Sequence, residues 1–262
     1  MVIKCSNLCR KSGKKKILSK INFEIEKGSF CSVIGAGDAG KTTLLRIING
    51  EISPNSGEIH IFGKPPYKIK HKISVLDENR LAFNCLKGIN YAEIYRNIYE
   101  NWNMEIFKEI CSQNHFDPEK KIGSCSMEEK TVLFFALLLA SGAPLMLLDE
   151  PFRFVKTPFK NRMLEKLKEF VCKKHCTIFC ASHEDNGLEK VTDKLIIMKK
   201  GYMVFFDSLE SALKKHKLAG ISSDAKGNER IGPVLSKVLY RTDKTDGEIP
   251  TMKELISGYL NQ

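Results

Sequence analysis

Residues 35–42 read Gly35-Ala36-Gly37-Asp38-Ala39-Gly40-Lys41-Thr42, a full match to the spacing GxxxxGK[ST]. The segment follows an apolar run, Phe30–Ile34, and opens a helix-period stretch, Lys41–Asn49. Strand, glycine-rich loop and helix in that order form a phosphate cradle. Glycines let backbone N–H groups curl round the phosphates, and the helix N-terminus adds its partial positive charge. Lys41 is expected to reach the β- and γ-phosphates of a nucleoside triphosphate, and the Thr42 hydroxyl to ligate Mg²⁺. The nucleotide-binding set is therefore Gly35, Ala36, Gly37, Asp38, Ala39, Gly40, Lys41, Thr42 and Thr43.

Around this loop the chain alternates. Apolar strand-like runs occur at Ile21–Ile25, Phe30–Ile34, Glu58–Phe62, Ile73–Leu76, Leu145–Leu148, Thr177–Ala181, Leu195–Met198 and Met203–Phe206. Helix-period segments lie at Lys41–Asn49, Tyr91–Glu100, Met104–Ser112, Met127–Leu139 and Lys160–Cys172. This pattern predicts an α/β fold. Residues 84–128 carry helices without a convincing strand, as an inserted helical subdomain would. Beyond Leu218 the composition turns to Gly, Ser, Asp and Lys before a short amphipathic piece, Met252–Leu260. The expected division is residues 1–218 as one nucleotide-binding domain and 219–262 as a small C-terminal extension.

The chemistry needs acids as well as the loop. Leu145–Leu148 is an apolar strand ending in Asp149-Glu150. Asp149 is placed for the Mg²⁺ shell and Glu150 to polarise the attacking water as general base. A guanine-reading N-K-x-D is missing; Asp243-Lys244-Thr245-Asp246 is a near match in a polar tail and reads as a turn.

Other features set limits. The stretch Thr131–Leu148 holds 18 residues without a charge, but Gly142-Ala143-Pro144 interrupts it, so a buried helix followed by a buried strand is expected and no transmembrane segment is read. Nine cysteines follow an N-terminus without a secretory signal pattern, which favours reduced thiols. Cys172, Cys176 and Cys180 with His175 and His183 straddle a helix end and a strand, a poor arrangement for a metal. The formal charge of +11 includes a local cluster at Arg10, Lys11, Lys14, Lys15 and Lys16, but the lysines are otherwise scattered with few aromatics among them, so it reads as a solvated basic surface and no nucleic-acid partner is expected.

With these motifs in order, the chain resembles the nucleotide-binding domain of ABC transporters over roughly residues 1–215, most of all the single-domain subunits of bacterial exporters. The resemblance implies a P-loop fold with a helical subdomain, and ATP with Mg²⁺ as ligands. It implies a switch role for His183, which follows the strand Thr177–Ala181, and aligns Glu78 with the position after the fourth strand where the family usually has a Gln that meets the metal. Catalytic residues are thus Glu150 and His183, and metal-site residues Thr42, Asp149 and Glu78. Tyr91, Tyr95, Tyr99 and Trp102 resemble the aromatic helix of the exporter group; at that spacing a core stripe is the first reading and a docking groove the second.

Departures from the family pattern are equally specific. Ser12 stands where an aromatic stacks on adenine, so base selectivity should be poor. The L-S-G-G-Q type signature falls on Cys125-Ser126-Met127-Glu128-Glu129, with the serine kept and both glycines gone. Lys156 falls where an Asp is expected. In this family two domains sandwich ATP, each offering its signature to the other's site. The resemblance therefore implies an ATP-hydrolysing subunit, peripheral at the inner face of the cell membrane, with a separate transmembrane permease subunit and a second ATP-binding subunit. A heterodimer is favoured and a homodimer is the alternative. A nucleotide-binding regulatory subunit with little hydrolysis is the competing function, and a ribosome- or DNA-acting ABC protein ranks last.

Overall fold

In the computed structural model, residues 1–174, 176–220, 229–235, 237–242 and 247–261 are described. The elements follow as β1 (Ile3–Ser12), β2 (Lys15–Ile25), β3 (Phe30–Ile34), α1 (Lys41–Ile48), β4 (Ser56–Ile61), β5 (Ile73–Leu76), α2 (Gly88–Ile98), α3 (Met104–Gln113) and α4 (Met127–Ala140). Then come β6 (Leu145–Asp149), α5 (Thr157–Lys174), β7 (Thr177–Ser182), β8 (Lys194–Lys199), β9 (Tyr202–Ser208), α6 (Leu209–Lys215), β10 (His216–Gly220), β11 (Glu229–Val234), β12 (Lys237–Arg241) and α7 (Met252–Leu260).

The central sheet has six strands in the order β5-β6-β7-β3-β8-β9. Its first five strands run parallel, and β9 closes the edge antiparallel to β8. Both faces are buried, and the period of two divides each strand cleanly. Met146, Leu148, Ile178, Cys180, Leu195 and Ile197 enter one core with α4, α5 and the helical segment. Leu145, Leu147, Phe179, Ala181, Ile196 and Met198 enter the other with α1 and the antiparallel sheet β2-β1-β4. A parallel sheet covered on both faces needs near-continuous apolar strands, which is what these runs supply.

α4 is apolar all round because it runs through the first core; every residue from Thr131 to Ala140 is buried. The uncharged stretch Thr131–Leu148 is shared between α4 and β6, with a turn at Gly142 whose φ of +59° and contact with the Asn101 carbonyl leave no room for a Cβ. Among the described residues no helix is long and apolar enough to cross a membrane.

Two sequence expectations need correction. The aromatic run is not one helical face: α2 ends at Ile98, Tyr99 is extended, and Trp102 lies in the link to α3. The rings still meet, Tyr91 edge-on to Phe134, Tyr95 against Tyr99 and Trp102, and Trp102 against Phe107, so they pack the helical segment onto α4 and α3. Secondly, the polar stretch after Leu218 contains strands. β10, β12 and β11 form a small antiparallel sheet covered by α7 through Leu255, Ile256 and Tyr259. Asp243–Asp246 and His175 lie outside the described residues. Of the cysteines named with His175, Cys172 is exposed while Cys176 and Cys180 are buried.

Candidate nucleotide site

The C-terminal ends of β3, β6 and β7 lie side by side, and three loops leave them into one crevice, the usual ligand position of an open parallel sheet. After β3 the chain forms the glycine loop. At Gly35 a Cβ would meet the Met198 carbonyl oxygen at 2.3 Å, so only glycine passes between β3 and β8. Gly40, with φ +93°, is the N-cap of α1. Around Gly37 nothing lies within 4 Å of a built Cβ, and Ala36, Gly37 and Asp38 are exposed, so the loop is open where a phosphate would approach.

Lys41 begins α1 and is buried. Its Nζ donates to the carbonyls of Gly35 at 2.6 Å and Ala36 at 3.0 Å and lies 3.7 Å from Glu150 Oε1. Burial pulls its pKa down, and the charges of Glu150 and Asp149 oppose that shift. Thr42, one residue on, is near enough to the Asp149 carboxylate to favour its ionised form.

Asp149 ends β6 and is 3% exposed. Burial pushes its pKa up to about 6; the Thr42 side chain opposes this, and the nearby charges of Glu78, Glu150 and Asp77 add to it. Its Oδ1 is buried without a hydrogen-bond partner. An orphaned, desolvated carboxylate oxygen beside a threonine hydroxyl is an unfavourable arrangement unless a cation shares it. Oxygen donors of this type suit Mg²⁺, so Thr42 and Asp149 fit the expected ion.

Glu150 has a φ of +46°, unusual for a residue with a Cβ. Its backbone N–H donates to the Ala181 carbonyl at 2.9 Å, which ties it to β7. His183, just past β7, places Nδ1 2.7 Å from Glu150 Oε2, so the ring N–H donates to the carboxylate. The catalytic pair read from sequence is brought together. Glu78 is brought only to the margin: its charge acts on Asp149 and Lys41, but its carboxylate is engaged by Arg153. Arg153, Arg80 and Lys120 were absent from the sequence reading. They lie in loops without period, where a basic residue reads as solvated.

The segment that the resemblance reads as the signature, Cys125 to Glu129, lies at the start of α4. Ser126 is its N-cap and forms a capping box with Glu129: the Glu129 N–H donates to Ser126 Oγ at 3.1 Å, and the Ser126 N–H to Glu129 Oε2 at 2.7 Å. Lys120 donates to both Glu129 oxygens, at 2.7 and 2.9 Å, and holds that carboxyl below its ordinary range. Glu128 accepts from the Lys156 N–H at 3.4 Å. Ser12 is exposed at the tip of the β1–β2 hairpin with lysines beside it.

Residues 18–153, more than half of the chain, match the family model described as ABC transporter. The chain belongs to that family. The phosphonates import ATP-binding protein PhnC of Fusobacterium nucleatum is 29% identical over 226 residues, which cover 78% of this chain and 92% of that protein. Among solved structures, an ATP-binding subunit of an ABC transporter superposes with a TM-score of 0.75 at 18% identity, covering 81% of this chain and 92% of the other. A dimeric ATP-binding cassette in a post-hydrolysis state with ADP and Pi gives 0.72 at 22% identity, over 79% and 98%. At such identities the structural matches establish the fold. The ABC chain described here is thus an ATP-binding subunit with an inserted helical subdomain, and it couples ATP hydrolysis to transport.

Proposed function

We propose that this ABC subunit hydrolyses ATP at the crevice of β3, β6 and β7, within a heterodimer whose partner supplies the signature loop. The observation that carries the site is the pair of unmet demands there: Asp149 Oδ1 without a partner, and Lys41 spending its donors on loop carbonyls. Triphosphate oxygens offer Lys41 anionic acceptors in place of neutral carbonyls. Mg²⁺, when bound, neutralises charge on the phosphates; Thr42 and Asp149 are its proposed protein ligands. Glu78 is a weaker ligand than the sequence implies, because Arg153 competes for it.

In the chemical step water attacks the γ-phosphorus, the bond to the β-γ bridging oxygen breaks, and ADP leaves. Glu150 receives the proton of the attacking water, and His183 orients the carboxylate through its Nδ1–H. The loop presents N–H groups to the phosphates, apart from those of Gly35 and Ala39, which donate to the Ser182 and Ala36 carbonyls, and Thr43 completes the first turn of α1.

Support for the heterodimer comes from α4. Ser126 and Glu129 satisfy one another, Lys120 is committed to Glu129, and Glu128 stands next to them. A second copy of this chain would bring carboxylates toward a γ-phosphate, a repulsive contact. The same observation supports a second reading, a nucleotide-binding regulatory subunit with little hydrolysis of its own. Turnover per site decides: this chain is mixed with a subunit bearing an intact signature, and hydrolysis that disappears with Glu150→Gln assigns the active site here. Hydrolysis that persists assigns it to the partner.

A separate membrane permease and a position at the inner membrane face belong to this proposal, as does export, the direction implied by the aromatic run. The phosphonates relative is named for import, so flux in vesicles holding the co-purified permease tests direction. The C-terminal extension is proposed to start at His216, before residue 219, because β10 pairs with β12.

A further inference from the structure

Arg80 lies in the loop after β5 and is 2% exposed. A guanidinium buried that deeply is expected to meet a carboxylate. This one meets main-chain carbonyls. Nη2 donates to the carbonyls of Glu150 at 3.0 Å and Pro151 at 3.2 Å. Nη1 donates to the Asp77 carbonyl and, at 3.4 Å, to that of Asp149. Nε donates to Thr131 Oγ1 of α4 at 3.3 Å.

The gripped backbone is strained. Glu150 has φ +46°, and Arg80 itself has φ +50°. Residues with a Cβ persist there only where surrounding contacts over-determine them. Arg80 supplies such contacts on the carbonyl side of Glu150, while the Ala181 carbonyl supplies one on the N–H side. Phe154 adds a second link: its ring lies 5.8 Å from the Arg80 guanidinium and 5.3 Å from that of Arg153, which pairs with Glu78. Burial lowers the Arg80 pKa to about 10, and the fields of Asp77, Asp149, Glu78 and Glu150 resist the fall, so the group is charged at neutral pH.

We propose that Arg80 is a positioning residue for ATP hydrolysis: its planar fork holds the backbone from Asp149 to Pro151 so that the Glu150 carboxylate keeps its place between His183 and Lys41. The proposal rests on Glu150 being the general base. It also makes the 77–80 loop a control point, since displacing that loop withdraws the fork. Lysine cannot replace the fork, because an ammonium is a point charge without the planar donor array.

The test is single turnover of Mg-ATP by the full chain assembled with a subunit bearing an intact signature, protein in excess, for wild type, Arg80→Lys, Glu150→Gln and the double variant. Arg80→Lys is expected to keep ATP affinity within about threefold and to slow turnover by about 10- to 100-fold, the size of effect that a small misplacement of a reacting group produces. On the Glu150→Gln background the same change should add less than about threefold, because a displaced base that is already absent costs nothing further. Hydrogen exchange over residues 149–154 should rise in Arg80→Lys. Thr131→Val removes the Nε acceptor but keeps the charge; it should slow turnover in the same direction, and it serves where Arg80→Lys does not fold. Wild-type rates for the Arg80 and Thr131 variants alongside a slow Glu150→Gln would overturn the positioning role alone. A full multiplicative loss in the double variant would do the same. A normal rate for Glu150→Gln would overturn the base assignment, and the Arg80 proposal with it.

Discussion

Asp149→Asn should stabilise the nucleotide-free, metal-free chain while abolishing its response to Mg²⁺ and ATP. The carboxyl is buried and its pKa stands at about 6 against an ordinary 3.8. A carboxyl raised on folding binds its proton more tightly in the native state, so its full contribution to stability is present below about pH 4. That contribution is lost as pH climbs through about 6 and stays lost above. At 1.36 kcal/mol per pH unit, the gap amounts to about 3 kcal/mol. Asparagine does not titrate, and it carries no charge into the site where Oδ1 has no donor and the charges of Glu78 and Glu150 repel a carboxylate. In EDTA the variant should therefore exceed the wild type by up to ~3 kcal/mol at pH 8, a rise of roughly 6–12 °C in thermal midpoint, and match it near pH 4. Adding Mg²⁺ and ATP should raise the midpoint of the wild type and leave that of the variant nearly unchanged. Melting curves at both pH values, with and without Mg²⁺ and ATP, check this. A variant no more stable than wild type at pH 8 in EDTA would refute the reasoning, because the buried charge would then have a partner.

Other expectations follow from the same site. Lys41→Ala should weaken Mg-ATP binding by about 2–5 kcal/mol, measured by titration, since it removes the main cation of a buried charged contact. Glu150→Gln should retain ATP yet lose about 10²-fold or more in turnover, and ATP-bound dimers should accumulate on size exclusion. ATP and GTP should bind within about tenfold of one another, because Ser12 forgoes a stack worth ~1–3 kcal/mol; a hundredfold preference for ATP would show another aromatic in that role. Met127→Gly with Glu128→Gly should raise the ATPase rate of the chain alone, and vigorous wild-type activity without a partner would count against the heterodimer.

Much of the fold could be read from the chain because its cores are simple. Strands buried on both faces appear as apolar runs, and α4 appears as an uncharged stretch that Gly142 and Pro144 terminate. The phosphate loop was legible because its motif is compact in sequence, although the carbonyls that demand Gly35 and Gly40, those of Met198 and Ile17, lie far along the chain. The small sheet β10-β12-β11 was not. Its strands are short, β11 contains a proline at Pro233, and Val238, Leu239 and Tyr240 are buried in succession, so little periodicity accumulates. Arg80 was illegible for another reason. Its partners are carbonyls of residues 149–151, and a backbone acceptor leaves no mark on the sequence.

The two halves of the site differ in how their polar groups are satisfied, and that difference bears on function more than residue identity does. On the phosphate side bonding capacity is held open. Lys41 rests on carbonyls it can exchange, Asp149 Oδ1 has nothing, and the loop around Gly37 is empty space. On the α4 side every charge named in the signature segment already has a partner within the chain: Glu129 has Lys120 and the Ser126 N–H, and Glu128 has the Lys156 N–H. A ligand gains most where it replaces poor bonds or none, and least where it must first break good ones. A nucleotide meeting this surface therefore gains at Lys41 and Asp149, and at Ser126 it must compete with a completed capping box. The asymmetry proposed for the assembly is already present within one subunit.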